Sequence, residues 1–497
     1  MTRERTEARS GRSAIAVTLL AVALAFGHQT QYLLPVTKTG LTITLADPLV
    51  AALVAGIAVA EWRGKGGLPR WRLALWPWLG LLAGTLALGM AVAWWRTGHV
   101  TSWALGSRFA GFFLLAGYLV AGGWLAAWRP RGDTPAFAVM LVAATAAIAG
   151  WALLGTTFGW VSQYRLMGLT GNPNAFAFEI VCAMSLLAGL AAKPSATVIR
   201  WGAPAMGVLM LGLWYSLSRA GLLAAGVVLA GAVIRLGPAA RRVVVMGAAL
   251  AAGIVIAANI AHHQPRVGRG DGEMSLSASE AVLAHPDGQE AGYSNRERML
   301  SVEEAFATWR EHPLLGAGLG TFVESHAGLL GQPLVIHNSA LWVLAEMGVV
   351  GFAAFSGFAV ACVRVLARRG GQNDALRVAG LLTLAGFAVM ATFHDLAFQR
   401  PLWLILGMAL AEVPATAKPQ SGLGRSGPGE FPCRDRPGRL SWWGIGRIAG
   451  NINCTGPTVL IMRSRYRCHP DRATRAEGSF TRKRLKDPSA TLGMTAK

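Results

Sequence analysis

The stretch HNSALWVLAEMGVVGFAAFSGFAVACV, His337–Val363, decides what kind of fold this chain has. Its 27 residues hold one charged side chain, Glu346, and outrun the roughly 20 helical residues that cross about 30 Å of hydrocarbon. In lipid, backbone groups must pair within their own segment, so such a crossing is a helix. A histidine and an asparagine stand where the apolar run begins.

Working outward, comparable segments recur along most of the chain. With 337–363 they are 13–34, 41–60, 73–94, 103–127, 135–157, 174–192, 201–217, 220–236, 243–260, 376–393 and 399–413, twelve expected spans in all. Hydrophobic residues at 53% against 14% charged exclude a set of soluble domains of this length. The expected fold class is therefore an all-α polytopic membrane protein.

Charge placement tests the count, because one missed span would invert every later loop. Loops expected inside carry Arg63, Lys65, Arg70 and Arg72, then Arg129 and Arg131, Lys193 and Arg200, Arg235, Arg241 and Arg242, and Arg364, Arg368, Arg369 and Arg377. Outside loops hold one or two basic residues each, so both termini are expected in the cytoplasm. Residues 1–12, with arginines at 3, 5, 9 and 12, read as a cytoplasmic start without the cleavage pattern of a removed signal peptide. From Pro414 the composition turns polar and rich in Gly, Pro and Arg; 16 Lys and Arg against 5 Asp and Glu give 414–497 about half of the chain's formal +21. That tail reads as a cytoplasmic, disordered segment attracted to anionic lipid, or as translation past the natural end of the gene. Nucleic acid is not an expected partner, since no fold signature accompanies the charge. The five cysteines lack metal-ligand spacing and are given no chemistry.

One outside segment, 261–336, is far longer than an ordinary connection and too polar to cross. Its first part is rich in Gly, Ser and Pro. In its second part Ser294-Asn295-Arg296-Glu297 fits a capping box, and Met299, Val302, Phe306 and Trp309 follow at helical spacing. A short amphipathic helix on the membrane-facing surface is expected there.

Four polar clusters fall on this same side. Arg165 precedes Gly171-Asn172-Pro173-Asn174, a turn whose asparagines more readily cap the next helix than bind a ligand. Arg219, in Ser216-Leu217-Ser218-Arg219-Ala220-Gly221, stands near membrane depth between two spans, where it snorkels, pairs or binds an anion. Arg296 and Arg298 are expected in the first turn of the loop helix, where free amides and the dipole already favour an anion. His337-Asn338 closes the loop. A lone histidine at a helix start is usually structural, but this one shares its side with the arginines and titrates near neutral pH.

The ordered set of Arg165–Asn174, Ser218-Arg219, Arg298, His312-Pro313-Leu314-Leu315-Gly316-Ala317-Gly318, His337-Asn338 and Glu346-Met347-Gly348-Val349-Val350-Gly351 resembles the O-antigen ligase/polymerase superfamily over roughly residues 13–413. Val302 departs from the aromatic residue that many relatives carry four positions after the loop-helix arginine, and the tail after Pro414 has no counterpart. The resemblance implies a bacterial inner-membrane enzyme with a periplasmic site, a membrane glycosyltransferase-like fold, and inverting transfer without a metal or cofactor. The implied donor is an undecaprenyl-diphosphate-linked glycan; the acceptor is lipid A-core in a ligase, or a growing polysaccharide in a polymerase. It also implies roles. Arg219 and Arg298 bind the diphosphate. His337 takes the acceptor proton. Arg165, Arg296, Asn338, Asn172 and Asn174 contact substrate. A secondary transporter or flippase for an anionic substrate is the alternative of another class. Glu346, about half a turn round the helix from His337, reads as structural, and Gly348 as a close-packing position on the histidine's face.

Overall fold

A computed structural model describes residues 2–34, 41–64, 75–127, 135–160, 165–263, 288–368 and 374–411. The Gly/Ser/Pro-rich part of the long loop within 264–287, Tyr164 and the basic tail from Pro414 lie outside the described residues.

The helices are α1 (Thr2–Gly27), α2 (Ala46–Trp62), α3 (Trp76–Thr97), α4 (Trp103–Ala127), α5 (Ala136–Thr157), α6 (Pro173–Ala192) and α7 (Ala196–Tyr215). They continue as α8 (Arg219–Arg235), α9 (Pro238–His263), α10 (Gly288–Glu311), α11 (Thr321–Ser325), α12 (Ser339–Ala367), α13 (Asp374–Ala391) and α14 (Arg400–Leu410). Among the described residues, eight are long and apolar enough to cross a membrane: α3, α4, α5, α6, α7, α9, α12 and α13. The other expected spans are shorter. The apolar stretch of α1 is Ala14–Gly27, α14 has 11 residues, and α2 and α8 have 17 each.

Two expected boundaries are corrected. The spans 13–34 and 41–60 do not run as helix throughout, because Gln31–Leu34 (β1) and Leu41–Thr44 (β2) pair antiparallel, Gln31 opposite Thr44. The β-branched and aromatic residues of QYLL and LTIT favour this pairing, and Gln31 N–H also donates to Leu169 O at 3.1 Å. Asp47 pins the hairpin's end. Its carboxylate accepts from Thr44 N and Oγ1, from Tyr118 Oη, and bidentately from Arg400 Nε at 2.8 Å and Nη2 at 2.7 Å; Arg400 also donates to Thr42 O. A buried ion pair holds only when its remaining valences are met, and here nearly all are. Replacing Asp47 by Asn keeps the shape but removes the charge from several hydrogen bonds, which is expected to lower stability by on the order of 2 kcal/mol. Thermal unfolding in detergent measures it; an unchanged midpoint would show that the pair only fills space.

The core is built around α6, which α5, α7, α8, α9 and α13 surround and whose side chains are buried along almost its whole length. Small residues bring the other helices close. A Cβ at Gly122 of α4 would overlap Leu404 O of α14, and one at Gly407 would overlap Leu119 O, so these two helices meet backbone to backbone.

α12 is broken. Gly348 takes φ 63° and ψ −164°, and residues 313–320 plug the gap. Ala317 and Gly318 N–H donate to Ala345 O and Glu346 O, while Val349 and Val350 N–H donate to Pro313 O and Leu314 O. The interrupted helix ladder is thus completed by the loop, and Leu319 N–H fastens the loop to Gly89 O of α3. Gly348 is therefore a break with a docked loop, where the sequence suggested only close packing.

α10 begins at Gly288, so Ser294 lies inside it and does not cap it. Its inner face is small, Ser301, Ala305 and Thr308 being buried, while Met299, Val302 and Phe306 are exposed. The apolar stripe therefore points away from the protein.

Candidate active site

The site is assembled at the N-terminal ends of α6, α8 and α12 and the third turn of α10. Gly168 and Gly171, at φ 55° and 66°, turn the chain after Arg165, and the Phe176 ring closes on Gly168, where a Cβ would not fit. Arg165 reaches across to the α7–α8 corner, donating from Nε to Ser216 O at 3.1 Å and from Nη2 to Leu217 O at 3.3 Å. Leu217, at φ 55°, is the one non-glycine residue among the described residues in left-handed conformation, and it makes the corner tight enough to put Ser218 at the N-cap of α8. Ser218 Oγ accepts from Gly221 N–H and donates to Asn174 Oδ1 at 2.9 Å. Arg219 is thereby fixed as the first residue of α8.

Two asparagines spend their side chains on helix starts. Asn172 caps α6, accepting from Asn174 N and Ala175 N. Asn338 caps α12, accepting from Leu341 N, and its Nδ2 donates to Thr392 O at 3.0 Å. For Asn338 the cap takes the amide oxygen and Thr392 O takes an N–H, which leaves little for a substrate.

Arg296 and Arg298 sit in the third turn of α10, not the first, so the dipole argument for an anion site does not apply to them. Arg296 is exposed, and neither cavity described next is lined by it. Arg298 is half-buried; burial, and then the positive charge of Arg219, hold its guanidinium below the usual range. Like charges held close favour an anion that relieves them.

His337 stands where two cavities meet. One, of about 450 Å³, is lined by His337, Asn172, Asn174, Arg108, Asp395 and Arg400 among others. The second, of about 240 Å³, holds His337 and Arg298 with Met299, Val302, Thr392 and Phe393. Burial, and then the charge of Arg298, push the His337 pKa down, while Glu297 and Asp395 oppose this. Nearby His394 is pushed down to about 3 by burial and by Arg298, His337 and Arg165 in turn. Four of the sequence-derived residues, Arg165, Arg219, Arg298 and His337, thus act on one electrostatic neighbourhood.

Sequence reading passed over Asp47, Arg108, Asp395 and Arg400, which all line the larger cavity. Arg108 pairs with Asp395 at 2.5 Å and lies over the rings of Trp342, Phe398 and Trp103 at 4.1, 4.8 and 5.0 Å. A signal was present: Asp47, Arg108 and Arg400 are ionisable residues inside expected spans, which are rarely there without a function or a partner. Glu346, buried, accepts from Trp342 Nε1 at 2.8 Å, so it supports the ring on which Arg108 rests.

Residues 204–356 match the family Wzy_C, described as O-Antigen ligase. The match runs from α7 into α12 and takes in Arg219, Arg298 and His337; Arg165, Arg108 and Asp395 fall outside it. No curated protein matches the chain.

Proposed function

We propose, from the premise that the match over residues 204–356 supports the O-antigen ligase/polymerase superfamily, that this protein transfers a glycan from an undecaprenyl-diphosphate carrier to a hydroxyl of lipid A-core. The observation that carries this is the position of His337 in the wall of both cavities, one of mixed lining with Arg108, Asp395 and Arg400 in it and the other a mainly apolar recess that holds Arg298 and Glu303. An isoprenyl diphosphate has that same split character, hydrocarbon joined to a double negative charge.

In this reading Arg298 and Arg219 bind the diphosphate through charge-assisted, bidentate hydrogen bonds. The acceptor hydroxyl oxygen attacks the anomeric carbon while its proton passes to a ring nitrogen of His337. The bond from the anomeric carbon to the diphosphate oxygen breaks, its electron pair goes to that oxygen, and the arginines stabilise the charge that develops. The displacement inverts the anomeric configuration and asks for no metal. Arg165 holds the α7–α8 corner that presents Arg219, and Asn174 supports Ser218 beneath it. The chain would cross the bacterial inner membrane twelve times, with both termini cytoplasmic and the site periplasmic, a reading that the placement of the basic loops supports.

Deletion of the gene, followed by gel analysis of surface glycans, tests the reading. Polymer accumulating on its lipid carrier, unattached to lipid A-core, is the expected result. Loss of polymer with single repeats still attached would make the protein a polymerase with the same donor chemistry. Unchanged surface glycans, with an anionic substrate accumulated by the purified protein in sealed vesicles, would favour a transporter instead.

A further inference from the structure

Among the described residues, ten buried side-chain nitrogen or oxygen atoms have no hydrogen-bonding partner. Four of them belong to residues that line the larger cavity: Trp103 Nε1, Ser107 Oγ, Arg108 Nε and Asp395 Oδ1. Folded interiors leave few such groups, so a cluster of four around one cavity points to a ligand.

Their arrangement follows from the chain. The first segment of α4, Trp103–Ala110, is wound as a π-helix, whose i to i+5 hydrogen bonds widen the turn and bring positions 103, 107 and 108 to one side. Such segments recur at functional sites. The Arg108 guanidinium cannot swing away, because three aromatic rings surround it and Asp395 holds one end. Arg108 is itself almost wholly buried, at 4% exposure, and its Nε–H keeps a fixed direction.

Chemistry narrows the ligand. Arg108 and Asp395 neutralise each other, which disfavours an anion as much as a cation. What remains is two N–H donors, one hydroxyl and one carboxylate oxygen, and a set of neighbouring hydroxyls, each able to donate and accept, satisfies all of them. Trp103 and Phe398 add apolar surface to the same cavity, whose volume falls in the range of small-molecule sites. We propose that Trp103, Ser107, Arg108 and Asp395 form a subsite for an uncharged, hexose-type sugar ring, held by its hydroxyls. The subsite deepens the glycan-transfer reading and rests on it. The ring belongs either to the glycan next to the diphosphate or to the acceptor.

Trp103→Phe combined with Ser107→Ala removes two polar atoms and keeps the shape. In detergent without a sugar headgroup, binding is measured for three probes: undecaprenyl diphosphate, the same lipid carrying one N-acetylglucosamine, and a lipid-free core oligosaccharide. The double variant is expected to bind a sugar-bearing probe about tenfold more weakly, as two neutral hydrogen bonds imply, with the sugar-free lipid unaffected. Loss of the tighter binding that the sugar gives the lipid assigns the donor ring; loss of oligosaccharide binding assigns the acceptor ring. Wild-type affinity for both sugar-bearing probes would overturn the subsite. Failure of the wild type to bind undecaprenyl diphosphate would instead overturn the lipid-donor reading, and the oligosaccharide would still decide the subsite.

Discussion

His337→Ala is expected to lower glycan transfer by roughly 10²–10⁴-fold, the usual share of a positioned general base. Binding of the lipid diphosphate should survive, because the arginines that hold it come from α8 and α10 and not from the start of α12. The pH profile sharpens this. Burial and the charge of Arg298 favour neutral His337, so its pKa in the free enzyme lies below the ordinary 6.5. A base must be unprotonated, so kcat/KM should hold steady down through pH 6.5 and fall only as pH drops through the lowered value. A bound diphosphate offsets the charge of Arg298, so the acidic limb of kcat should lie at higher pH than that of kcat/KM. Reconstituted transfer measured from pH 5 to 8 checks both. Full activity in His337→Ala, or an acidic limb centred well above 6.5 in kcat/KM, would remove the histidine from its role.

What the sequence made legible follows from what has a local signature. Length and apolarity mark each helix that, among the described residues, is long and apolar enough to cross a membrane, since both are properties of the segment alone. The arginines and the histidine stand out in the sequence by the side they are expected to share, which depends only on counting spans. The hairpin has no such signature, because the pairing of Gln31–Leu34 with Leu41–Thr44 is a contact between segments and not a property of either. The capping pattern at Ser294 puts the first residue of α10 at Asn295, seven residues after its actual start at Gly288, because a helix already under way does not need the cap. Arg108 and Asp395 stand 287 positions apart, and nothing near either names the other. Their pairing exists only once α4 and the segment before α14 share a cavity wall.

Gly348→Ala is expected to cost on the order of 3–5 kcal/mol of stability, by combining a backbone penalty with a steric one. At φ 63° and ψ −164° the backbone occupies a region that glycine alone adopts without strain. A Cβ there would also overlap Leu314 C and O, in the loop that completes the broken helix. Gly316 faces the same contact from the loop side: it has φ 72°, and its Cβ would strike the Glu346 carbonyl and Met347 N. Either substitution evicts the same plug, so the double variant should fall well short of the two losses added together. Gly331→Ala separates the causes. Its φ is 74°, but nothing lies within 4 Å of the added carbon, so it should cost only about 1 kcal/mol. Thermal unfolding of the three single variants and the double variant in detergent reads the difference. With the plug displaced, the carbonyls of Ala345 and Glu346 lose their partners, and the first half of α12 loses its tie through Leu319 to α3. That half begins at the Asn338 cap, next to His337, and carries Trp342, on which Arg108 rests. Transfer should therefore fall in Gly348→Ala even in protein that remains folded, whereas Gly331→Ala should keep it. Equal costs at Gly348 and Gly331 would mean that the docked loop contributes nothing beyond backbone strain, and that the site does not depend on the break.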